Sequence, residues 1–212
     1  MKYDFAPAAS GEIAAVFSPY EKRVRWMDEQ GIRQWNVTDY LNVYPQAYYR
    51  RQAEMGSLYV LKETESGAIV GAAVLLQEDE RWADRGGIPA YYVHNLVTDP
   101  AAKGAGAEML RAVEGLAMKR GRQALRLDCA ADNVFLNRYY ESMGFMPAGY
   151  CEEGAYRGIR REKNYKKQGA GEIRRLWFYE GGKGTLGGSA PYNPCQGTEF
   201  PGPSTFTQNH AA

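Results

Sequence analysis

One segment constrains this chain more than any other: residues 96–109, LVTDPAAKGAGAEM. A β-rich run passes through a short loop into Gly104-Ala105-Gly106 and straight into a helical pattern. In that pattern Met109, Leu110, Val113, Leu116 and Ala117 share one face, and Gly121 ends it. Glycine lets a ligand approach the backbone closely, and the first-turn N–H groups have no helical acceptor. The positive end of the helix dipole points the same way, so the junction suits an anion such as a pyrophosphate. The same glycines also suit a tight strand-to-helix turn with no ligand at all.

Two nucleotide fingerprints fail here. A GxxxxGK[ST] loop needs Lys-Ser or Lys-Thr after the glycines, and neither follows. A GxGxxG loop needs a third glycine where Met109 stands, and it belongs after the first strand of a domain, whereas this motif comes late. Pyrophosphate binding without either pattern leaves coenzyme A as the natural candidate.

The flanking sequence reads as alternating strands and helices. Ser18-Pro19-Tyr20-Glu21 has capping-box spacing with proline at the first helical position, and Gly31 supplies a stop, predicting a helix over 19–30. Pro45 and Gly56 bracket a second helical stretch, QAYYRRQAEM. Residues 57–64 and 68–76 form a hairpin about the turn Glu65-Ser66-Gly67. Residues 77–89 read as a polar loop, 90–98 as a strand, 104–120 as the helix above and 124–130 as a strand. A short helix over 133–143 is capped by Asp132 or Asn133, and residues 145–153 and 156–165 read as two more strands. This is a mixed α/β layer architecture.

Composition sets limits on partners. The 212 residues carry 26 Lys and Arg against 25 Asp and Glu, which gives no global case for nucleic acid or a membrane surface. No apolar run is long enough to span a bilayer and no secretory signal is visible. Three cysteines at wide spacing fit a reducing, cytoplasmic setting; with two histidines, a protein-only metal cluster is not expected. Cys129 reads as a small buried hydrophobe rather than an acyl-carrying nucleophile. The eight basic residues between Arg157 and Arg175 read as the solvated face of an edge strand. From residue 168 onward the chain turns rich in glycine and proline, so the expected division is a domain over 1–167 and a tail over 168–212 whose anchor would be Leu176-Trp177-Phe178-Tyr179.

The run GAGAEML after a strand, followed by LRLDCAADNVFLNRYYESMGF, resembles the GCN5-related N-acetyltransferases (GNAT). That family's acetyl-CoA motif is [QR]-x-x-G-x-[GA], and its later signature is Asn, then Tyr, then Gly-Phe, here Asn133, Tyr140 and Gly144-Phe145. The segment WMDEQGIRQW is similar to a W-x-x-x-x-G-x-x-Q-W stretch of one bacterial branch, whose histidine before the glycine loop His94 matches. The resemblance covers roughly residues 1–166. Ala101 stands where Gln or Arg is usual, the loop is about two residues short, and Lys103 is the neighbouring cation.

The resemblance implies a GNAT-type α/β fold: a mixed, mostly antiparallel twisted sheet with a splayed central strand pair and flanking helices. It implies acetyl-CoA as cosubstrate, no metal, and direct transfer of acetyl through a tetrahedral intermediate to a primary amine of a small molecule. Backbone of Leu96, Val97 and Thr98 would meet the thioester, and Lys103, Gly104, Ala105, Gly106 and Ala107 the pyrophosphate. Asn133 would bind the pantetheine arm or cap its own helix. Tyr140 would be the acid beside the sulfur and His94 the base, with Glu54 or Glu78 as alternative bases; packing roles for Tyr140 and His94 stay open. Trp26, Trp35, Tyr40 and Tyr44 would shape the acceptor groove or simply pack. A homodimer is compatible. A non-catalytic acyl-CoA-binding module with an interaction tail, and a protein or peptide N-acetyltransferase, are the alternatives.

Overall fold

The computed structural model describes residues 2–154 and 156–165. The tail over 168–212, its apolar cluster and the basic residues beyond Tyr165 lie outside the described residues. Seven strands form one sheet in the order β1-β2-β3-β4-β5-β7-β6. They are β1 (Tyr3–Pro7), β2 (Leu58–Glu63), β3 (Ile69–Leu76), β4 (Ala90–Thr98), β5 (Ala124–Ala130), β6 (Met146–Glu153) and β7 (Tyr156–Asn164). Every neighbouring pair is antiparallel except β4 with β5. That parallel pair holds register at only three positions, Ala90–Ala124, Tyr91–Leu125 and Tyr92–Arg126. Beyond Tyr92 the two strands part, and the sheet opens into a cleft at its centre.

Each face of the sheet has its own core. On one face α4 (Ala105–Lys119) and α5 (Val134–Ser142) cover Ala73, Leu75, Tyr91, Val93, Leu125 and Leu127. On the other α1 (Ile13–Glu29), α2 (Tyr40–Val43) and α3 (Gln46–Glu54) cover Val60, Ala72, Val74 and Val97. This is the mixed, mostly antiparallel sheet with a splayed central pair that the resemblance implies.

Three expectations need correction, and one strand lies where none was expected. The first helix begins at Ile13, not Pro19, and Pro19 lies inside it. Ile13, Val16, Phe17 and Tyr20 are all buried against the sheet, and that burial outweighs the hydrogen bond a mid-helix proline removes. The strand β1 went unread because a five-residue run with one acidic residue carries little pattern. The polar loop over 77–89 contains a 3-10 segment, Glu80–Arg85, whose Trp82 is 1% exposed. The guanidinium groups of Arg126 and Arg160 each lie 5.1 Å from that ring, so the loop is pinned to the sheet. Finally, β7 is not an edge strand: it lies between β5 and β6. Its Arg160 and Arg161 are buried, Arg160 against Asp84 and Arg161 against Asn137 and Glu141.

Candidate active site

The glycine junction is an open donor site. Gly104 adopts a left-handed conformation (φ 82°) as the residue before α4, which only glycine takes up without strain. Ala105, Ala107 and Glu108 donate their N–H groups to nearby carbonyls. Those of Gly104 and Gly106 have no backbone acceptor among the described residues. Lys103 is exposed beside them. A Cβ on Gly106 would meet the Tyr139 hydroxyl at 3.2 Å, so that phenol also borders the junction. Two free amides, a helix N-terminus and an exposed ammonium fit a diphosphate.

The strand before this junction carries the second feature. Val97 pairs with Ala72 and His94 with Val74, so β4 holds one more residue than β3 across the interval. This is a β-bulge, and Asn95 within it has φ 50°, a left-handed value rare outside glycine. The extra residue resets the alternation of side chains. Tyr91 and Val93 face α4, and after the bulge it is Leu96 that joins them, while Val97 joins the opposite core. On the side of β5, the backbone beyond Tyr92 has no ladder partner. Leu96, Val97 and Thr98 therefore offer backbone rather than side chains. Val97 is buried in the core, and the Thr98 carbonyl accepts from Arg23 at 2.6 Å.

His94 lies on this strand with Nε2 2.9 Å from Asp79 Oδ2. Asp79 precedes the 3-10 segment and also accepts from the Arg81 backbone N–H at 3.0 Å. Burial pushes the Asp79 carboxyl up, but the bond to His94, the adjoining imidazole and Arg81 outweigh it and hold the carboxyl below its usual range. Arg81 in turn pairs with Asp128 (3.3 Å) and Glu153, and Tyr156 donates to Asp128 at 2.5 Å. Tyr44 lies within electrostatic reach of Arg81, Glu153 and Asp128. A polar, mostly acidic cluster thus gathers β4, β5, the β6–β7 hairpin and the loop after β3.

Tyr140 comes from the opposite face. Its ring packs among Cys129, Leu127 and Phe145 and is 6% exposed, yet no protein group bonds its hydroxyl among the described residues. Burial, then the neighbouring Cys129, Tyr139 and Asp128, push the phenol well above its usual range and keep it protonated. The Cys129 thiol is buried, donates to Asn137 at 3.2 Å, and burial pushes it up to about 11. It is a packing residue with little thiolate character. Asn133 caps α5 by accepting from the Leu136 N–H at 2.9 Å and donates to Gln34 at 3.3 Å, which ties α5 to the segment after α1.

Several groups in this arrangement were missed by reading the sequence: Asn95, Asp79, Arg81, Asp128 and Tyr156. Only Asn95 left a signal, a poor strand former in the middle of YYVHNLVT. Glu54 and Glu78 take no part in the contacts of His94. Of the four aromatics, Trp35 stacks on Tyr40 at 4.3 Å and Tyr40 is buried, so both pack the helices. Trp26 meets Arg23 at 4.9 Å, and Tyr44 alone approaches the polar cluster.

Known proteins share this architecture. The chain is similar to the uncharacterized N-acetyltransferase YesJ of Bacillus subtilis (strain 168), 26% identical over 144 residues that span 66% of this chain and 79% of YesJ. Among solved structures, a GNAT-family acetyltransferase from Listeria monocytogenes 4b F2365 superposes with a TM-score of 0.63 at 24% identity, covering 76% of this chain and 94% of that one. The PaiA N-acetyltransferase of Thermoplasma acidophilum, solved in complex with coenzyme A, gives 0.59 at 14% identity, covering 78% and 100%. Residues 29–145, which include the glycine junction and the segment LRLDCAADNVFLNRYYESMGF, match the model of the acetyltransferase (GNAT) family, and the chain belongs to that family.

Proposed function

We propose that this protein transfers the acetyl group of acetyl-CoA to a primary amine of a small molecule. The observation that carries the reading is the parting of β4 from β5 on the strand that leads into the unsatisfied Gly104 and Gly106 amides. One site accepts the diphosphate, and the gap accepts the arm that leads from it. Acetyl-CoA supplies an activated acyl group as a thioester.

The chain's own residues divide the remaining work. The Gly104 and Gly106 amides and Lys103 hold the diphosphate. Backbone donors of the bulged segment, in the region of residues 96–98, hydrogen-bond the carbonyl oxygen that gains charge as the amine attacks. His94, held by Asp79, takes the proton the ammonium must lose, directly or through one water. Tyr140, kept protonated by burial, gives its proton to the departing sulfur. His94 shares its sheet face with Ala90, Tyr92 and Val97, and Tyr140 packs on the other face, so in this reading base and acid act from opposite sides of the sheet. The carboxylates Asp128 and Glu153, joined through Arg81 to the loop that carries Asp79, favour an amine acceptor in its cationic form.

The test is a screen of primary amines with acetyl-CoA, read by free thiol and by mass of the product. Turnover with at least one small amine supports the reading. Acetyl-CoA binding without turnover on any amine, peptides included, would favour a non-catalytic acyl-CoA-binding module.

A further inference from the structure

The least expected residue in the site is Asn95. Strand interiors seldom hold a non-glycine residue at positive φ, and this one is fixed at three points by tyrosines from three different helices. Tyr20 of α1 donates to the Asn95 carbonyl at 2.5 Å. Tyr48 of α3 donates to Asn95 Oδ1 at 3.0 Å, and Asn95 Nδ2 donates to the hydroxyl of Tyr40, from α2, at 2.7 Å. Tyr20 and Tyr40 are buried, with rings 6.1 Å apart, and Tyr49 lies 4.6 Å from Tyr20. The asparagine thus satisfies both ends of its amide and its own carbonyl inside an aromatic cage. Nothing about β-pairing needs this: a bulge forms readily with a glycine at the left-handed position. What the cage adds is a fixed orientation of the peptide planes on either side of residue 95.

We propose that Asn95 is a positioning residue for acetyl transfer, its amide clamped by Tyr40 and Tyr48 and its carbonyl by Tyr20, so that the bulge aims its backbone donor at the thioester carbonyl. The proposal rests on the reading that this carbonyl lies against the bulge. Donors aimed where charge develops are effective only when held in place beforehand. The α1–α3 region therefore acts on the reaction through hydrogen bonds to one residue of β4, in addition to whatever it offers the acceptor.

Two variants separate the clamp from the bulge. Asn95→Gly keeps the left-handed backbone and removes both side-chain bonds; Tyr48→Phe removes one of them and leaves the ring. Both should bind acetyl-CoA within about threefold of the parent, while kcat falls by roughly 10- to 100-fold for Asn95→Gly and less for Tyr48→Phe. The discriminating readout is the infrared stretch of acetyl-CoA labelled with carbon-13 at the thioester carbonyl. Bound to the parent protein, it should move to lower frequency, and in Asn95→Gly it should return toward its position in water. A shift that survives unchanged in both variants overturns the positioning role. No shift in the parent protein overturns the underlying reading that the carbonyl meets the bulge.

Discussion

At the scale of single residues, the proposed reaction assigns the proton transfers to Tyr140 and His94, and each can be altered with little change in shape. Tyr140→Phe removes one unpartnered hydroxyl, so packing around Phe145 and Leu127 stays. Turnover should fall by roughly 10² to 10⁴ with acetyl-CoA affinity preserved, as steady-state kinetics and calorimetry would show. A parent rate in that variant would remove Tyr140 as the acid. Asp79 gives a test in pH. Its carboxyl is held below the usual range in the folded protein, so its contribution to stability is present above about pH 4 and is lost as the pH falls through the lowered value. The stability difference between the parent and Asp79→Asn should therefore shrink below about pH 4 in acid titrations followed by circular dichroism. At the glycines, Gly106→Val places atoms against the Tyr139 hydroxyl and over the free amides. Acetyl-CoA affinity should drop by roughly tenfold or more, with a melting temperature near the parent's. Unchanged affinity in a folded variant would mean that the diphosphate binds elsewhere.

Elements, rather than residues, explain what could be read from the sequence. Strand β4, helix α4, strand β5 and helix α5 came out within a residue or two, because each has a clean apolar period and a glycine or asparagine at its boundary. The residues around the glycine junction were legible for the same reason. The start of α1 was not, since capping signals at Ser18 competed with burial of Ile13, Val16 and Phe17, and burial depends on a sheet that forms from distant segments. The loop after β3 was misread because Trp82 sits alone among charges. Its burial comes from a cluster with Ala90, Tyr92, Ala124 and Ala148, with Arg126 and Arg160 over the ring, and most of these lie more than 40 positions further along the chain. His94 follows the same rule: it stands out in the sequence, but Asp79 becomes its partner only through that loop. Trp82→Ala should cost about 3–5 kcal/mol in chemical denaturation. It should also lower turnover, because the loop that carries Asp79 and Arg81 loses its anchor. Full activity in a destabilised variant would separate the loop's folding role from any role at His94.

At the scale of the whole molecule, the sheet does two things at once. Its outer strands build continuous cores on both faces, and its centre opens where β4 and β5 part. The cleft is thus a property of topology: a single parallel pair in an otherwise antiparallel sheet, released after three residues of register. A chain ended after Lys167 keeps all seven strands and both cores, and it should melt cooperatively near the temperature of the full chain. A collapse of that transition would assign part of the core to the segment that follows. The most direct measurement is a crystal structure with acetyl-CoA bound. The expected complex has the diphosphate on the Gly104 and Gly106 amides, the thioester between β4 and β5, and the sulfur roughly 3 Å from the Tyr140 hydroxyl. Acetyl-CoA seated elsewhere, for example in the cavity between β1 and α4 lined by Tyr3, Phe5 and Arg111, would contradict it.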